Sequence, residues 1–200
     1  MIIIEPSVRL LFPDPEIAKE QTRIIDYCAR NCYDSQNKMG EDHSEFIQRL
    51  IRRDHGTPLE FASVIFEIWA SRAVMAELTR HRLSSFCIRS QRYVNEGKNG
   101  EVTFINPNFD DPELMKKWKM ACQIAEEAYC QMIEAGATAE QARTVLPNST
   151  ATKIEMCANL REWRYILSLR NSKRAYPEMQ YIAKEIHDRL AILYPCVLGE

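Results

Sequence analysis

Residues 80–93 concentrate side chains that bind anions. Their sequence, RHRLSSFCIRSQRY, contains four arginines, one histidine and three serines. The planar guanidinium of arginine pairs two N–H donors with two phosphate oxygens, and its charge does not titrate near neutral pH. The composition therefore predicts a site for a phosphorylated ligand. A solvated basic loop is the alternative interpretation, because basic runs are common on protein surfaces.

Three neighbouring segments must position this stretch. Residues 61–70 are nearly all apolar, which predicts a strand that is buried on both faces. Residues 71–79 predict a short helix that ends just before Arg80, where a cation also complements the helix dipole. Residues 83–94 are expected to be extended or looped, and residues 95–100 (NEGKNG) have the composition of a hairpin turn.

The rest of the chain alternates between short strand patterns and longer helical patterns. Asn159, followed three residues later by Glu162, has the pattern of a capping box, and a helix N-terminus beside Arg161 favours an anion. We find no internal repeat and no linker, so residues 1–200 are expected to form one domain. Further strands are predicted over residues 1–12, 101–106 and 149–158, and helices over residues 16–31, 42–53, 111–135, 137–145, 160–170 and 178–194.

The composition argues against several classes of protein. An apolar share of 46% is sufficient for a core, and a formal net charge of −2 argues against a dedicated nucleic-acid binder or a partner of anionic membranes. The seven cysteines form no CxxC pair and no zinc-module spacing, which favours a reducing cytoplasm. Cys28 and Cys32 are expected to be small buried thiols. We find no signal peptide and no apolar run near the roughly 18 residues of a membrane span.

Four separated elements together resemble the flavin-dependent thymidylate synthases. Arg80, His81 and Arg82, followed after seven residues by Ser90, are similar to the signature of that family. The other three elements lie at compatible intervals in the same order. They are residues 55–60 (HGTPLE), 142–147 (ARTVLP) and 159–170 (NLREWRYILSLR).

The resemblance implies both a fold and a reaction. It implies an α+β fold with a mixed or antiparallel central sheet flanked by long helices, in a single-domain subunit of a homotetramer whose active sites are shared between subunits. The reaction converts dUMP to dTMP, with the methylene group of 5,10-methylenetetrahydrofolate and reducing power from NADPH through FAD. Neither a metal nor a nucleic-acid or membrane partner is expected.

Carried over residue by residue, the resemblance assigns two sets of ligand contacts. Arg170 is the expected catalytic residue, because a cation beside uracil N3 stabilises the negative charge that develops as C5 becomes nucleophilic. The residues expected at FAD are His55, Thr57, Arg80, His81, Arg82, Ile88, Asn159, Leu160, Arg161 and Tyr165. The residues expected at dUMP are Glu77, Arg80, Ile88, Ser90, Arg92, Arg143 and Arg170.

Four positions depart from the pattern of the family. Glu77 stands where glutamine is common, and Tyr165 stands where asparagine or histidine is usual. Cys87 and Ile88 replace an asparagine and a glutamate. These changes bear on individual contacts more than on the activity.

Three other functions fit part of the pattern. A nucleic-acid-binding module would use the arginines of residues 80–93, although the net charge is wrong for a dedicated binder. A different flavoprotein with a phosphorylated substrate would use the same basic residues. An inactive assembly subunit would tolerate the departures at Glu77, Ile88 and Tyr165.

Overall fold

The computed structural model describes residues 1–199, which contain both helices and strands. The strands are β1 (Ile2–Ile4), β2 (Ser7–Phe12), β3 (Ser63–Ser71), β4 (Ser85–Ile88), β5 (Thr103–Ile105) and β6 (Ala151–Asn159). The helices are α1 (Pro15–Asn31), α2 (Ser44–Arg52), α3 (Arg72–Leu78), α4 (Pro112–Glu134), α5 (Ala139–Ala142), α6 (Leu160–Arg170), α7 (Pro177–Leu193) and α8 (Pro195–Leu198).

The fold is α+β, as the resemblance implies. Its strands form two sheets. The larger sheet is antiparallel and has the order β2-β3-β6-β4. The smaller sheet pairs β1 with β5 in parallel, and Ile2 lies opposite Thr103. The predicted strand over residues 1–12 is therefore two strands, divided around Pro6, which has no N–H to donate to a ladder.

The chain forms two compact units, and each is assembled from separate stretches of sequence. The first unit comprises Met1–Ser7, Ile68–Arg80 and Cys87–Ile154. The second unit comprises Val8–Glu67, His81–Phe86 and Glu155–Glu200. The boundaries place Arg80 in the first unit and His81 in the second. The residues of the basic stretch 80–93 are thus divided between the two.

In the first unit, the core forms around α4. Tyr129 is fully buried there with Val102, Phe104, Cys122 and Ala142. The Tyr129 hydroxyl accepts a hydrogen bond of 3.0 Å from the Glu96 N–H and donates one of 3.2 Å to Asn95 Oδ1. These bonds fix the start of the NEGKNG segment. This segment does not close a hairpin, because β4 and β5 belong to different sheets.

In the second unit, α6 packs against the first half of β3. Trp163 is fully buried, and its indole N–H donates a hydrogen bond of 3.2 Å to the Val64 carbonyl. The Trp163 ring meets Phe66 edge to face, with the ring centroids 5.2 Å apart. Along β3, buried residues such as Val64 and Phe66 alternate with partly exposed ones. The prediction of burial on both faces is therefore wrong. It failed because apolar residues also stand on the partly exposed face of β3.

The buried side of α1 contains a carboxylate. Asp26 is 0% exposed and accepts hydrogen bonds from Arg30 Nε at 2.5 Å and from His43 Nδ1 at 2.8 Å. These two hydrogen bonds and the charge of Arg30 compensate the loss of hydration, which explains how an aspartate occupies a core position. Cys32 is exposed and Cys28 is only partly buried, so the expectation of two buried thiols is wrong. Within residues 1–199, no helix combines the length and apolar character needed to cross a membrane.

We predict that Asp26→Ala lowers the free energy of unfolding by about 3 kcal/mol, because the substitution leaves the partly buried Arg30 guanidinium and the His43 ring without their acceptor. Urea denaturation at matched protein concentration measures the change. Glu20→Ala is the control, because Glu20 pairs with Arg23 at 2.6 Å on the exposed face of the same helix, where no measurable loss is expected. Equal effects of the two substitutions would contradict the role of burial.

Candidate functional site

The N-terminus of α6 is fixed by three hydrogen bonds. The Asn159 side chain accepts from the Glu162 N–H at 2.9 Å and caps the helix, which is one of the two hydrogen bonds of the predicted capping box. The Leu160 N–H donates to the Ala62 carbonyl at 2.9 Å, and the Trp163 indole bond to Val64 adds the third contact. The Leu160 side chain is fully buried. Through these contacts, the direction of every later side chain on the helix is set.

A cavity of about 560 Å³ lies in the second unit beside this helix. This volume is within the usual range for small-molecule sites. Three of the predicted FAD residues line it: His55, Thr57 and Arg161. Tyr33 and Phe61 line it as well, and these residues are 76% and 57% exposed. The sequence did not single out these rings, because an isolated aromatic residue in a turn carries no periodic signal.

The Arg161 side chain lies against the turn formed by residues 57–61. Its Nη1 donates to Glu60 Oε1 at 2.6 Å, and both side chains are about half exposed. A Cβ added to Gly56 would lie 3.0 Å from Arg161 Nε, so the glycine leaves room for the guanidinium. Glu60 belongs to a matched element, but the sequence analysis assigned it no ligand contact. The structure makes it the counter-ion of Arg161.

The chemistry of these donors fits a flavin dinucleotide. Arg161 is a cation suited to a diphosphate, Thr57 supplies a hydroxyl, and His55 supplies a ring nitrogen. The exposed faces of Tyr33 and Phe61 suit a flat ring system. FAD needs these kinds of groups, so the cavity residues fit the cofactor that the resemblance implies.

In the same unit, the buried His81 and Glu162 form a polar cluster with the partly buried Arg170. The Arg170 Nε–H donates to His81 Nε2 at 3.2 Å. On the other side of the ring, Glu162 Oε1 lies 3.6 Å from His81 Nδ1. His81 is 5% exposed and Glu162 is 7% exposed. Burial lowers the pKa of His81, the nearby charge of Arg170 lowers it further, and burial raises the pKa of Glu162.

Two more predicted FAD residues, Tyr165 and Arg82, lie close to this cluster in the sequence. Tyr165 is 55% exposed, and its ring meets His81 edge to face at a centroid distance of 6.1 Å. Arg82, next to His81, is exposed. Sequence reasoning assigned His81 to FAD but missed its contact with Arg170. These residues are 89 positions apart, so no local pattern could have shown it.

In the first unit, the residues around Ser90 form a turn that follows β4. The Ser90 hydroxyl accepts from the Arg92 N–H at 3.2 Å, and the Val94 N–H donates to the Ser90 carbonyl at 3.0 Å. The Arg92 side chain is 56% exposed and contacts Glu140 Oε2 through Nε at 3.2 Å. The turn therefore presents a hydroxyl and a largely exposed guanidinium close together in sequence.

A second group of arginines in this unit surrounds a buried carboxylate. The Glu96 side chain is 5% exposed, and its Oε2 lies 2.8 Å from Arg89 Nη2. Burial raises the pKa of Glu96, whereas Arg89 and Arg72 lower it. Burial also lowers the pKa of the Arg72 guanidinium, and the charge of Arg143 lowers it further. Sequence reasoning predicted Arg143 but missed Arg72 and Glu96, which lie in a helix and in a turn.

Within residues 1–199, no group of three or more His, Cys, Asp and Glu side chains is placed to hold a metal ion.

The predicted site residues fall into two groups, one in each unit. The first unit contains Glu77, Arg80, Ile88, Ser90, Arg92 and Arg143. The second unit contains His55, Thr57, His81, Arg82, Asn159, Leu160, Arg161, Tyr165 and Arg170.

Comparisons with known proteins agree on one family. The family described as thymidylate synthase complementing protein matches residues 16–196. A flavin-dependent thymidylate synthase of Mycolicibacterium gilvum is 32% identical over 196 residues, which cover 88% of this chain and 78% of that protein. One from Pyrococcus furiosus is 33% identical over 173 residues, which cover 84% and 71%.

A solved structure shares the fold. It is a UMP/dUMP methylase from Streptomyces cacaoi bound with 5-Br dUMP, and it superposes with a TM-score of 0.83. The match covers 98% of this chain and 95% of that one, at 23% sequence identity.

We predict that the pKa of His81 lies below the value of about 6.5 that is usual for histidine. Burial and the Arg170 charge both disfavour the imidazolium, so the ring is neutral at pH 7 with its proton on Nδ1. NMR titration of the imidazole nitrogens measures this. The chain has only four histidines, so single His→Gln variants assign the signals. A pKa above 6.5, or a proton on Nε2, would be incompatible with the Arg170 contact.

Proposed function

Because the chain belongs to the family of flavin-dependent thymidylate synthases, it makes dTMP from dUMP, and we propose here how its residues do so. The one-carbon unit comes from 5,10-methylenetetrahydrofolate, with NADPH as the reductant and FAD as the cofactor. One observation carries the assignment of residues: Arg170 contacts His81. Arg170 lies on α6, the helix that also bears Arg161.

The second unit supplies the contacts to FAD. His55, Thr57 and Arg161 line the cavity of about 560 Å³ and bind the cofactor there. Bound FAD supplies the hydride chemistry, while the protein supplies position and field. Glu60 holds the Arg161 side chain over Gly56 before the ligand arrives. The remaining expected contacts, which rest on the resemblance, are those of Arg80, His81, Arg82, Ile88, Asn159, Leu160 and Tyr165.

The first unit supplies the contacts to the nucleotide. Ser90 and Arg92 bind the phosphate of dUMP, and Arg143 faces the same ligand. The turn after β4, which presents the Ser90 hydroxyl beside the Arg92 N–H, supports this assignment. Arg72 and Arg89 add positive charge to this unit, and the buried Glu96 compensates it in part. Glu77, Arg80 and Ile88 complete the set by resemblance.

Arg170 acts on the uracil ring. Uracil C5 is a poor nucleophile and must gain electron density before it attacks a methylene electrophile. A cation at N3 stabilises the negative charge that develops there, and the fixed guanidinium does so without reorganisation. Lysine would supply the charge but not the planar pair of donors.

The assembly follows the family. The chain forms a homotetramer of single-domain subunits, and each active site takes residues from more than one subunit. All seven cysteines carry free thiols, which supports a reducing cytoplasm as the compartment. The net charge of −2 supports small-molecule substrates rather than nucleic acid or an anionic membrane as partners.

Two linked measurements test the function. The visible spectrum of the purified protein, after addition of FAD and removal of the excess, is expected to show a retained two-band flavin spectrum. The assay then supplies dUMP, methylenetetrahydrofolate and NADPH and measures dTMP. Retained flavin without dTMP would indicate a different flavoprotein. Folded protein without flavin would favour a binding module or an inactive subunit.

We predict that Arg170→Ala abolishes dTMP formation and leaves FAD bound, because the substitution removes the charge at the uracil ring but none of the cavity residues. Arg170→Lys is expected to remain poor for lack of the planar donor pair. The exposed Arg23, paired with Glu20 outside this cluster, provides the matched control Arg23→Ala. Wild-type turnover in Arg170→Ala would remove the catalytic role.

A further inference from the structure

Arg72 is a partly buried arginine for which the sequence analysis found no role. It is the first residue of α3, and its backbone N–H donates to the Thr150 carbonyl at 3.1 Å, which fixes the point where its side chain begins. Within residues 1–199, the Arg72 guanidinium makes no hydrogen bond and no ion pair. A cation that has lost part of its hydration without gaining a partner is costly, so this position favours a bound anion.

Arg143 lies close to Arg72 in the first unit. Its positive charge is near enough to lower the pKa of the Arg72 guanidinium, in the same direction as burial. Arg143 is also partly buried, and its side chain has no ion-pair partner in the described part of the chain. Two positive charges that the fold holds near each other repel, and an anion between them removes this cost.

The turn that follows β4 is attached to the same region. Arg92 contacts Glu140 Oε2 through Nε at 3.2 Å, and Glu140 lies on α5, three residues before Arg143. The Ser90 hydroxyl accepts from the Arg92 N–H in this turn. One ion pair therefore connects the turn that presents Ser90 to the short helix that leads into Arg143.

Glu96 balances part of the positive charge without occupying the donors of Arg72. Its Oε2 lies 2.8 Å from Arg89 Nη2, and its Oε1 has no hydrogen-bond partner among residues 1–199. Glu96 and Arg72 act on each other's pKa, so the two groups are neighbours, although no hydrogen bond joins them. The N–H groups of the Arg72 guanidinium therefore stay available to a ligand.

The total charge of this arginine cluster matches a phosphate monoester. The cluster consists of four arginines and two glutamates: Arg72, Arg89, Arg92, Arg143, Glu96 and Glu140. Four positive and two negative charges leave a formal charge of +2. A phosphate monoester carries about −1.5 to −2 at pH 7. The cluster is therefore neutralised by one nucleoside monophosphate.

We propose that Arg72 binds the phosphate of the nucleotide together with Arg143, beside the turn that bears Ser90 and Arg92. The planar guanidinium offers two parallel donors to two phosphate oxygens. This inference rests on the proposed function, in which the resemblance assigns Ser90, Arg92 and Arg143 to dUMP. It adds a binding residue that none of the four matched elements contains.

Equilibrium dialysis of dUMP against the FAD-loaded protein tests the contact. Arg72→Gln is expected to weaken dUMP binding about 30-fold and to leave kcat at saturating dUMP near that of wild type. Lys117→Gln is the control, because it removes one positive charge from an exposed position on α4 in the same unit and is expected to leave dUMP binding unchanged. Wild-type affinity for dUMP in a folded Arg72→Gln variant would overturn the proposal.

The wild-type protein allows a second test that does not depend on the folding of a variant. Phenylglyoxal modifies guanidinium groups, and peptide mass spectrometry locates the modified arginines. We expect dUMP to protect Arg72 from modification, whereas deoxyuridine, which lacks the phosphate, does not protect it. Equal modification of Arg72 with and without dUMP, or equal protection by deoxyuridine, would contradict a phosphate contact.

These measurements separate the inference from the proposed function. An active wild-type enzyme whose dUMP affinity is unaffected by Arg72→Gln would contradict the inference alone. A wild-type protein that retains flavin and binds dUMP but forms no dTMP would contradict the proposed function, and the dialysis would still decide whether Arg72 binds the phosphate.

Discussion

The hydrogen bond between the Trp163 indole and the Val64 carbonyl is the contact on which the second unit depends. It joins the first turn of α6 to β3 inside a core. Because both groups are buried there, water does not replace either partner. Because a helix is rigid, this bond, together with the Asn159 cap and the Leu160 contact with Ala62, sets the directions of Arg161 and Arg170. One then lines the cavity while the other contacts His81. The two arginines that we assign to the cofactor and to the substrate thus depend on the same helix.

Both units use buried carboxylates among cations, but in different ways. Asp26 is fully buried and accepts hydrogen bonds from Arg30 and His43, so both of its oxygens have structural partners. Glu96 contacts Arg89 through Oε2, while its Oε1 has no hydrogen-bond partner within the described part of the chain. A buried acceptor without a partner is costly, so it belongs where a ligand or water completes the shell. Glu96 lies in the unit to which we assign the nucleotide contacts.

How much of this could be predicted depended on the range of the interactions. The Asn159 cap and the course of α6 follow from neighbouring residues, so local patterns were sufficient. The pattern of β3 led to a wrong prediction, because apolar residues stand on its partly exposed face as well. The NEGKNG segment has hairpin composition, but Tyr129, more than thirty residues away, determines where it lies. The pairing of His81 with Arg170 is equally remote. Motif resemblance located both residues without showing that they touch.

The departure at Tyr165 is understandable from the environment of His81. Asparagine or histidine at this position would bring another hydrogen-bonding group to the imidazole and could compete with Arg170 or stabilise the imidazolium. Tyrosine instead meets the ring edge to face at 6.1 Å. A contact of this kind excludes water and adds little preference for charge on the ring. With Glu162 on the Nδ1 side and Arg170 on the Nε2 side, the remaining neighbour need only be apolar at the point of contact. In this chain the substitution therefore leaves the neutral tautomer of His81 undisturbed.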